Sequence, residues 1–463
     1  MLLNQVKINM LTKFAVTNYR GFANRIEWDL SNPANYEFNR SVIKDGVIKN
    51  GIIYGPNGSG KTNFSLAIFD IENHLSPKWK KIDYYVNFIY AGNNDGVVKF
   101  EYTFKFDNDT IDYIYAKNAA GVLVEESFFV NRMNIFERKN NLFRIDKQQF
   151  PMDESIEKNF QSNANNVSVI NFLLTSYPLN SEHYLIKLNR FVNSMLWFRN
   201  LDVREFIGLE TNIIMLDEFI ITNNLLDDFS DFLHKVSGQT FQFIAHNITD
   251  KQILCQIDKN EVPFRLVAST GTQSLQLLYF WLKRMDEASF VFIDEFDAFY
   301  HFRLAFEVCK RLFALDCQIF TSSHNTYLMT NDLLRPDCNF ILKITKLSVW
   351  LIVRTKNCVL VITSKKFIAQ ELFMMNKEKT LFIFEGVKTE SKLIEKLEHN
   401  FLGKTNSIKC VFDAEIYQLY RAIKEEKEFS IDIVSLLKER TAENAKILEN
   451  YTRDMFCLYI FVF

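Results

Sequence analysis

Gly55-Pro56-Asn57-Gly58-Ser59-Gly60-Lys61-Thr62 decides the reading of this chain. Gly, four residues, then Gly-Lys-Thr is the spacing of a phosphate-binding loop. Its glycines let successive backbone N–H groups turn inward onto phosphate oxygens. Lys61 is placed to reach the β- and γ-phosphates of a nucleoside triphosphate, and the Thr62 hydroxyl to hold Mg²⁺. The flanks agree with the motif. Gly51-Ile52-Ile53-Tyr54 reads as a buried strand, and Asn63 to Glu72 as a helix whose N-terminus faces the phosphates. The eight loop residues and Asn63 are therefore candidate ligands of ATP.

Working outward, a second dense stretch lies far down the chain. Phe290-Val291-Phe292-Ile293-Asp294-Glu295 is an apolar strand ending in two carboxylates. Asp294 is the expected Mg²⁺ partner, beside Thr62, and Glu295 the group that orients or deprotonates the attacking water. Asp297 follows, then a helix over Phe302 to Leu315. Next come a strand over Cys317 to Thr321 and Ser322-Ser323-His324-Asn325 at its end, where ligands of open α/β sheets gather. Upstream, Ser269-Thr270-Gly271-Thr272 precedes a helix over Gln273 to Asp286. Its helix N-terminus suits a phosphate, and an ordinary Ser/Thr cap is the alternative.

These motifs, in this order, resemble the ABC-type ATPase heads of the SMC and RecF kind, over roughly Leu11 to Lys343. The fold implied is α/β, a P-loop NTPase head with an inserted, mainly helical lobe at about 120–240. The resemblance makes His324 the switch histidine on the γ-phosphate and, with Lys61 and Glu295, a catalytic residue. It makes Asp297 part of the D-loop. Ser269 and Gly271 match a degenerate signature loop that completes the nucleotide site of an opposite subunit, so an ATP-dependent head dimer is expected. Phe14 to Phe22 and Arg25 to Leu30 read as an opening hairpin. Arg20 either approaches the nucleotide or is a surface turn arginine. The compact form is most like the ATPases of phage-defence and abortive-infection systems. A RecF-like repair ATPase that clamps DNA and a nucleotide-gated scaffold with little turnover are the rivals.

The bulk numbers bound the rest. The 463 residues allow two or three domains, and a hydrophobic fraction of 48% permits large cores. Lys plus Arg total 54 and Asp plus Glu 56, so no global basic charge points to nucleic acid, although a local patch remains open. Seven cysteines without a CxxC pair read as reduced and cytosolic. No run is long enough to span a bilayer. Tyr84 to Tyr90, Val97 to Phe106 and Ile111 to Tyr115 read as a strand meander; Ile156 to Leu201 and Leu216 to Val236 as mainly helical. His74, His183, His234 and His246 are scattered and carry no assigned role, a satisfied structural histidine being the reading of each, and His301 is left structural.

After Lys343 the text changes character. Leu347 to Ile362 is apolar without a clean period, and a strand pair is one reading. The other is out-of-frame text. The genetic code permits a reading shifted by two bases across Trp350 to Asn376 that is similar to the C-terminal end of such ATPases. Residues 344–378 are therefore expected to be an irregular seam with poorly paired backbone. From 379 to 463, Thr380 to Phe384 with Glu385-Gly386 and a helix over Glu390 to His399 resembles the start of a TOPRIM-type nuclease domain, here truncated. The resemblance makes Glu385 its Mg²⁺ ligand, but no Asp-x-Asp pair follows to complete the site, and the alternative is a strand-end glutamate of a small α/β unit. The resemblance implies a TOPRIM-like nuclease effector as partner.

Overall fold

The computed structural model describes residues 9–76, 87–93, 96–139, 142–161, 167–199, 206–209, 215–343, 346–349, 361–362, 379–384, 407–411, 433–451 and 456–462. The chain forms two compact units, residues 1–350 and 351–463.

The first unit is built on two seven-stranded sheets. One is antiparallel. Its strands run, in spatial order, Leu142–Ile145, Met133–Lys139, Leu123–Val130, Asp109–Lys117, Val98–Phe106, Asn9–Thr17 and Ile26–Asp29. Val98–Phe106 alternates buried and half-buried residues without a break, the period-two signature of a sheet with one face on the core. The other sheet is parallel at its centre. There Met195–Arg199, Phe290–Asp294, Gln318–Ser323, Asn50–Tyr54 and Asn339–Lys343 lie side by side. Phe206–Gly208 and Lys346–Val349 pair antiparallel at its two edges. Phe290–Asp294 and Asn50–Tyr54 are buried at every position, as strands covered on both faces must be.

The helix Lys61–Ile68 lies between the sheets. Trp28 from the antiparallel sheet meets Phe64 of that helix at 5.7 Å, and Phe320 and Phe340 of the parallel sheet at 4.5 and 5.3 Å between ring centroids. Such edge-to-face contacts add about 0.5–1.5 kcal/mol each beyond area burial. Polar contacts stitch the same seam. The Gln318 amide donates to Leu11 O at 2.9 Å and accepts from Leu11 N at 3.1 Å. A three-stranded sheet of Phe243–Ile244, Leu254–Ile257 and Asn260–Pro263 leads into the helix Thr270–Leu282.

Residues 120–240 correct the expected helical lobe. The helices Glu154–Gln161, Val169–Ser176, Tyr184–Asn193, Leu216–Thr222 and Leu226–Ser237 are present. Three strands between 123 and 145, however, extend the antiparallel sheet, and Met195–Arg199 enters the parallel sheet beside Phe290–Asp294. The stretch thus supplies strands to both sheets, because a sheet edge left open at Asp109–Lys117 or Phe290–Asp294 would strand its N–H and C=O groups. Of Tyr84–Tyr90, only 87–90 are described, and there a single bridge joins Ile89 to Tyr19.

The seam also departs from expectation where it is described. Lys346–Val349 pairs with Asn339–Lys343 in the register Phe340↔Val349 to Lys343↔Lys346. Val361–Ile362 pairs with Ile460 and Phe461. An open sheet edge offers unpaired N–H and C=O groups, and a neighbouring extended stretch finds ladder partners there. The remainder of 344–378 lies outside the described residues.

The second unit contains a four-stranded sheet in the order Val361–Ile362, Phe456–Val462, Lys379–Phe384, Ser407–Val411. Lys379–Phe384 runs parallel to both of its neighbours. Helices Ile433–Arg440 and Ala442–Ile447 accompany it, the latter capped by the Thr441 hydroxyl accepting from Asn444 N. Glu385 and the helix expected over Glu390 to His399 lie outside the described residues.

Candidate active site

Three parallel strands end at one place, and their last residues and following turns make the site. Asn50–Tyr54 runs into the phosphate loop. Phe290–Asp294 ends in Asp294 and Glu295. Gln318–Ser323 ends in Ser323 and His324. C-terminal strand ends are where an open α/β sheet leaves its loops free for ligands.

The loop is shaped as a cradle. Gly58 and Gly60 have φ of 79° and 93°, in the left-handed region that glycine alone adopts without strain. The corner of the opening hairpin supports it from below. A Cβ on Gly60 would lie 2.7 Å from Phe22 Cζ. Ser59 Oγ is buried and has no hydrogen-bond partner within the protein, and a buried hydroxyl left so is a place for a ligand oxygen.

Lys61 begins the helix. Its ammonium donates to Gly55 O at 2.8 Å and Pro56 O at 3.3 Å, and to the His324 ring, whose Nε2 is 2.9 Å away. Burial pulls the lysine down to about 8, against the opposing pull of Asp294, Glu295 and Asp297. Desolvation of the ring against the loop, and then the Lys61 charge, hold His324 below its ordinary value. A neutral imidazole accepting from an ammonium satisfies both shifts.

Thr62 donates from Oγ1 to Asp294 Oδ2 at 2.7 Å, joining the loop to the strand 232 residues later. Asp294 is fully buried. Its other oxygen accepts from Ser322 Oγ at 2.6 Å. Ser322 Oγ in turn accepts from Glu295 N at 2.8 Å, and Glu295 is held at φ 50°. A non-glycine residue in that region costs on the order of 1–3 kcal/mol and persists where its surroundings over-determine it. Asp297 accepts from Ser323 Oγ at 2.7 Å, and burial raises its carboxyl to about 6.

The donor set fits the groups the motifs imply. A hydroxyl and a carboxylate, both oxygen, suit a hard cation such as Mg²⁺, which takes one or two carboxylates and completes its shell with waters and phosphate. Among the described residues no group of three or more His, Cys, Asp or Glu forms an all-protein metal cage.

Lys61, Thr62, Asp294, Glu295, Asp297 and His324 are thus brought together. Arg20 reaches the site's edge. Its Nη1 donates to Asn63 Oδ1 at 3.1 Å, and its own backbone is left-handed at φ 46°. Among the described residues no hydrogen bond joins Ser269 or Gly271 to this cluster. Ser269 Oγ caps its helix by accepting from Thr272 N, the Thr272 hydroxyl donates to Gln239, and a Cβ on Gly271 would lie 3.0 Å from Phe299 O. The loop is therefore built against the turn that follows Asp297. His301 caps the helix Phe302–Leu312, the structural role expected of it. His74 is half-buried with Nε2 2.6 Å from Tyr113 Oη.

One residue escaped the sequence reading. Arg199, at the end of Met195–Arg199, lies with Nη2 3.2 Å from both Thr62 Oγ1 and Asp294 Oδ2. Its signal was an apolar run, Met-Leu-Trp-Phe, closed by a charge, which a helix over Ile156 to Leu201 absorbs.

A glycine cradle, a helix-borne Lys-Thr pair and a buried acidic strand end joined to it define a P-loop nucleoside triphosphatase of the AAA class. The chain belongs to the family described as "AAA domain, putative AbiEii toxin, Type IV TA system", whose model matches residues 52–330. Among solved structures it is similar to the SMC head domain from Thermotoga maritima, at 15% identity and a TM-score of 0.37, over 75% of this chain and 100% of that one. It is similar to an SMC head bound to the C-terminal winged-helix domain of ScpA, at 16% identity and a TM-score of 0.39, over 73% and 97%. It is also similar to the recombination mediator RecF, at 14% identity and a TM-score of 0.34, over 74% and 98%. No curated protein matches the chain. Among the described residues no helix is long and apolar enough to cross a membrane.

Proposed function

We propose that this protein binds and hydrolyses ATP with Mg²⁺, using Lys61, Thr62, Asp294, Glu295 and His324. The observation that carries the reading is the 2.7 Å bond from Thr62 Oγ1 to Asp294 Oδ2. It brings two remote motifs into one oxygen pair at the mouth of a glycine cradle. The backbone N–H groups of 58–62 and the Ser59 hydroxyl receive phosphate oxygens. Lys61 exchanges the Gly55 and Pro56 carbonyls for the β- and γ-phosphates. Thr62 and Asp294 would hold Mg²⁺, which would supply charge withdrawal from the phosphate oxygens. Glu295 takes the proton of the attacking water, and His324, neutral beside Lys61, contacts the γ-phosphate.

Ser269 and Gly271, which no described hydrogen bond joins to this cluster, serve the nucleotide of a second copy. The exposed Phe299, Phe302 and Tyr327 near Asp297 and His324 offer apolar surface for that contact. The wider role we infer is that of a cytoplasmic ATPase in a phage-defence system, acting with a TOPRIM-like nuclease. The family description, which names a toxin of a type IV TA system, supports it. So does the second unit's sheet, in which one strand has parallel neighbours on both sides. The organisation this implies is an ATPase domain over 1–343, a seam, and a truncated TOPRIM-like fragment over 379–463.

The test is turnover. Lys61→Ala is expected to weaken ATP binding. Glu295→Gln is expected to keep binding and lose hydrolysis by roughly 10²-fold, the scale of a general base. Phosphate release by Glu295→Gln at the unaltered rate would remove Glu295 from that role.

A further inference from the structure

Where the proposed mechanism puts a metal, the structure holds a side-chain cation. Arg199 and Asp294 are register partners at the ends of adjacent parallel strands. Arg199 Nη2 lies 3.2 Å from Asp294 Oδ2 and 3.2 Å from Thr62 Oγ1, and Nε lies 3.2 Å from the same Oδ2. The other Asp294 oxygen is occupied by Ser322. The guanidinium therefore sits on the one carboxylate oxygen and the one hydroxyl that face the metal position.

A fully buried carboxylate needs a countercharge, because desolvation penalises an unpaired ion heavily. We propose that Arg199 is a built-in counter-ion that closes the magnesium position in the nucleotide-free protein and leaves it when Mg²⁺ arrives with ATP, thereby setting the metal concentration the site requires. The proposal rests on the assignment of Thr62 and Asp294 as the metal-facing pair.

Three features make the exchange workable. Mg²⁺ binds oxygen at close range in a strict octahedron and does not share its ligands with a second cation's N–H groups. Free Mg²⁺ alone would have to displace Arg199 without bringing an anion for it to follow. Mg²⁺ arriving with ATP brings phosphate oxygens, which the guanidinium fork binds bidentately. Finally, the motion is confined to a side chain. Arg199 is 23% exposed, so it swings without crossing the core. Two residues earlier, Trp197 Nε1 donates to Ser65 Oγ at 2.9 Å and ties the strand to the phosphate-loop helix.

The test reads metal binding by the full-length, nucleotide-free chain, with Mn²⁺ as the probe and electron paramagnetic resonance as the readout. Arg199→Gln is expected to tighten Mn²⁺ binding about tenfold, the low end of what one nearby like charge does to a charged state. Arg199→Lys, which keeps the charge, is expected to stay near the unaltered chain. Equal or weaker Mn²⁺ binding in Arg199→Gln overturns the proposal. Asp294→Asn placed on Arg199→Gln separates the two readings: it must weaken Mn²⁺ binding, and if it does not, the metal assignment itself fails. Should Arg199→Gln not fold, the unaltered chain still decides. With ¹⁵N-labelled arginine, the Nε–H signal that Arg199→Lys removes must shift when Mg²⁺ and ATP are added together, and must not shift with Mg²⁺ alone. A signal unmoved by both together overturns the proposal.

Discussion

Gly60→Ala is the sharpest perturbation the structure offers, because two separate costs meet at one atom. Gly60 sits at φ 93°, ψ 16° at the start of the helix Lys61–Ile68. An L residue held in the left-handed region costs about 1–2 kcal/mol. The added Cβ would also lie 2.7 Å from Phe22 Cζ and 3.0 Å from its Cε1. Phe22 is itself buried and packs edge-on to Phe64 at 6.4 Å, so its ring has little room to retreat. Overpacking of this kind costs typically 1–3 kcal/mol. Together the loss is about 2–5 kcal/mol, a large share of a domain's net stability. Urea unfolding of the full chain measures it as a lower midpoint. Because the strain is relieved by moving the loop, ATP affinity should fall about tenfold or more as its N–H groups leave their positions. A double-mutant cycle with Phe22→Leu divides the two costs. The smaller side chain removes the contact and leaves the backbone strain, so a coupling of about 1 kcal/mol or more is expected. A Gly60→Ala chain that unfolds at the unaltered midpoint and binds ATP equally well would refute both the strain at Gly60 and the bracing by Phe22.

Two further outcomes follow from the same geometry. Burial holds Lys61 at about 8, below its ordinary 10.5, so between those values the folded nucleotide-free protein has released a proton that the unfolded chain keeps. That lysine's contribution to stability therefore rises with pH across this window. ATP, which needs the ammonium, takes the proton back up, so its affinity falls as pH climbs past about 8. Calorimetry near pH 9, in two buffers of different ionisation heat, should show net proton uptake on binding, and equal heats would contradict the assignment. Separately, Gly271→Arg should abolish the ATP-dependent self-association expected of Glu295→Gln, since its side chain crowds Phe299 O and blocks approach to the helix N-terminus. Light scattering that shows a monomer with and without ATP in Glu295→Gln itself would sink the second-copy reading.

Much of the site was legible because its strands carry unambiguous text. Phe290–Asp294 and Asn50–Tyr54 are short apolar runs stopped by a carboxylate or by glycine, and burial on both faces permits nothing else. The strands from 123 to 145 were not legible. Leu123–Val130 carries Glu125 and Glu126 in its middle, and Glu126 is fully buried. It is tolerated because Tyr113 Oη, Ser168 Oγ and Val169 N all donate to it, at 2.9, 2.6 and 2.8 Å. Periodicity cannot read a buried carboxylate whose partners come from 13, 42 and 43 residues away. Arg199 was hidden for a related reason. Its meaning lies in the oxygens it meets, and those arrive from the first turn of the phosphate-loop helix and from another strand end.

The antiparallel sheet, for which no chemistry was read, therefore bears on the active site through its grip on one short helix. At the N-terminus of Lys61–Ile68, Phe22 closes the space beneath Gly60. At its C-terminus, the Tyr102 hydroxyl lies 3.1 Å from both Ala67 O and Ile68 O, carbonyls of the last turn. Tyr102 is buried and is braced by Tyr115, whose own hydroxyl donates to Asp70 Oδ2 at 2.7 Å. Lys117 completes that site with an ion pair to the same oxygen at 2.7 Å, on a carboxylate with no exposed surface. A helix of eight residues is too short to hold itself. In this fold it is pinned at both ends and along Phe64, so the left-handed glycines before it stay in place before any nucleotide binds. The cradle is thus preorganised: the ordering of the loop is met by folding, and ATP binding need not supply it.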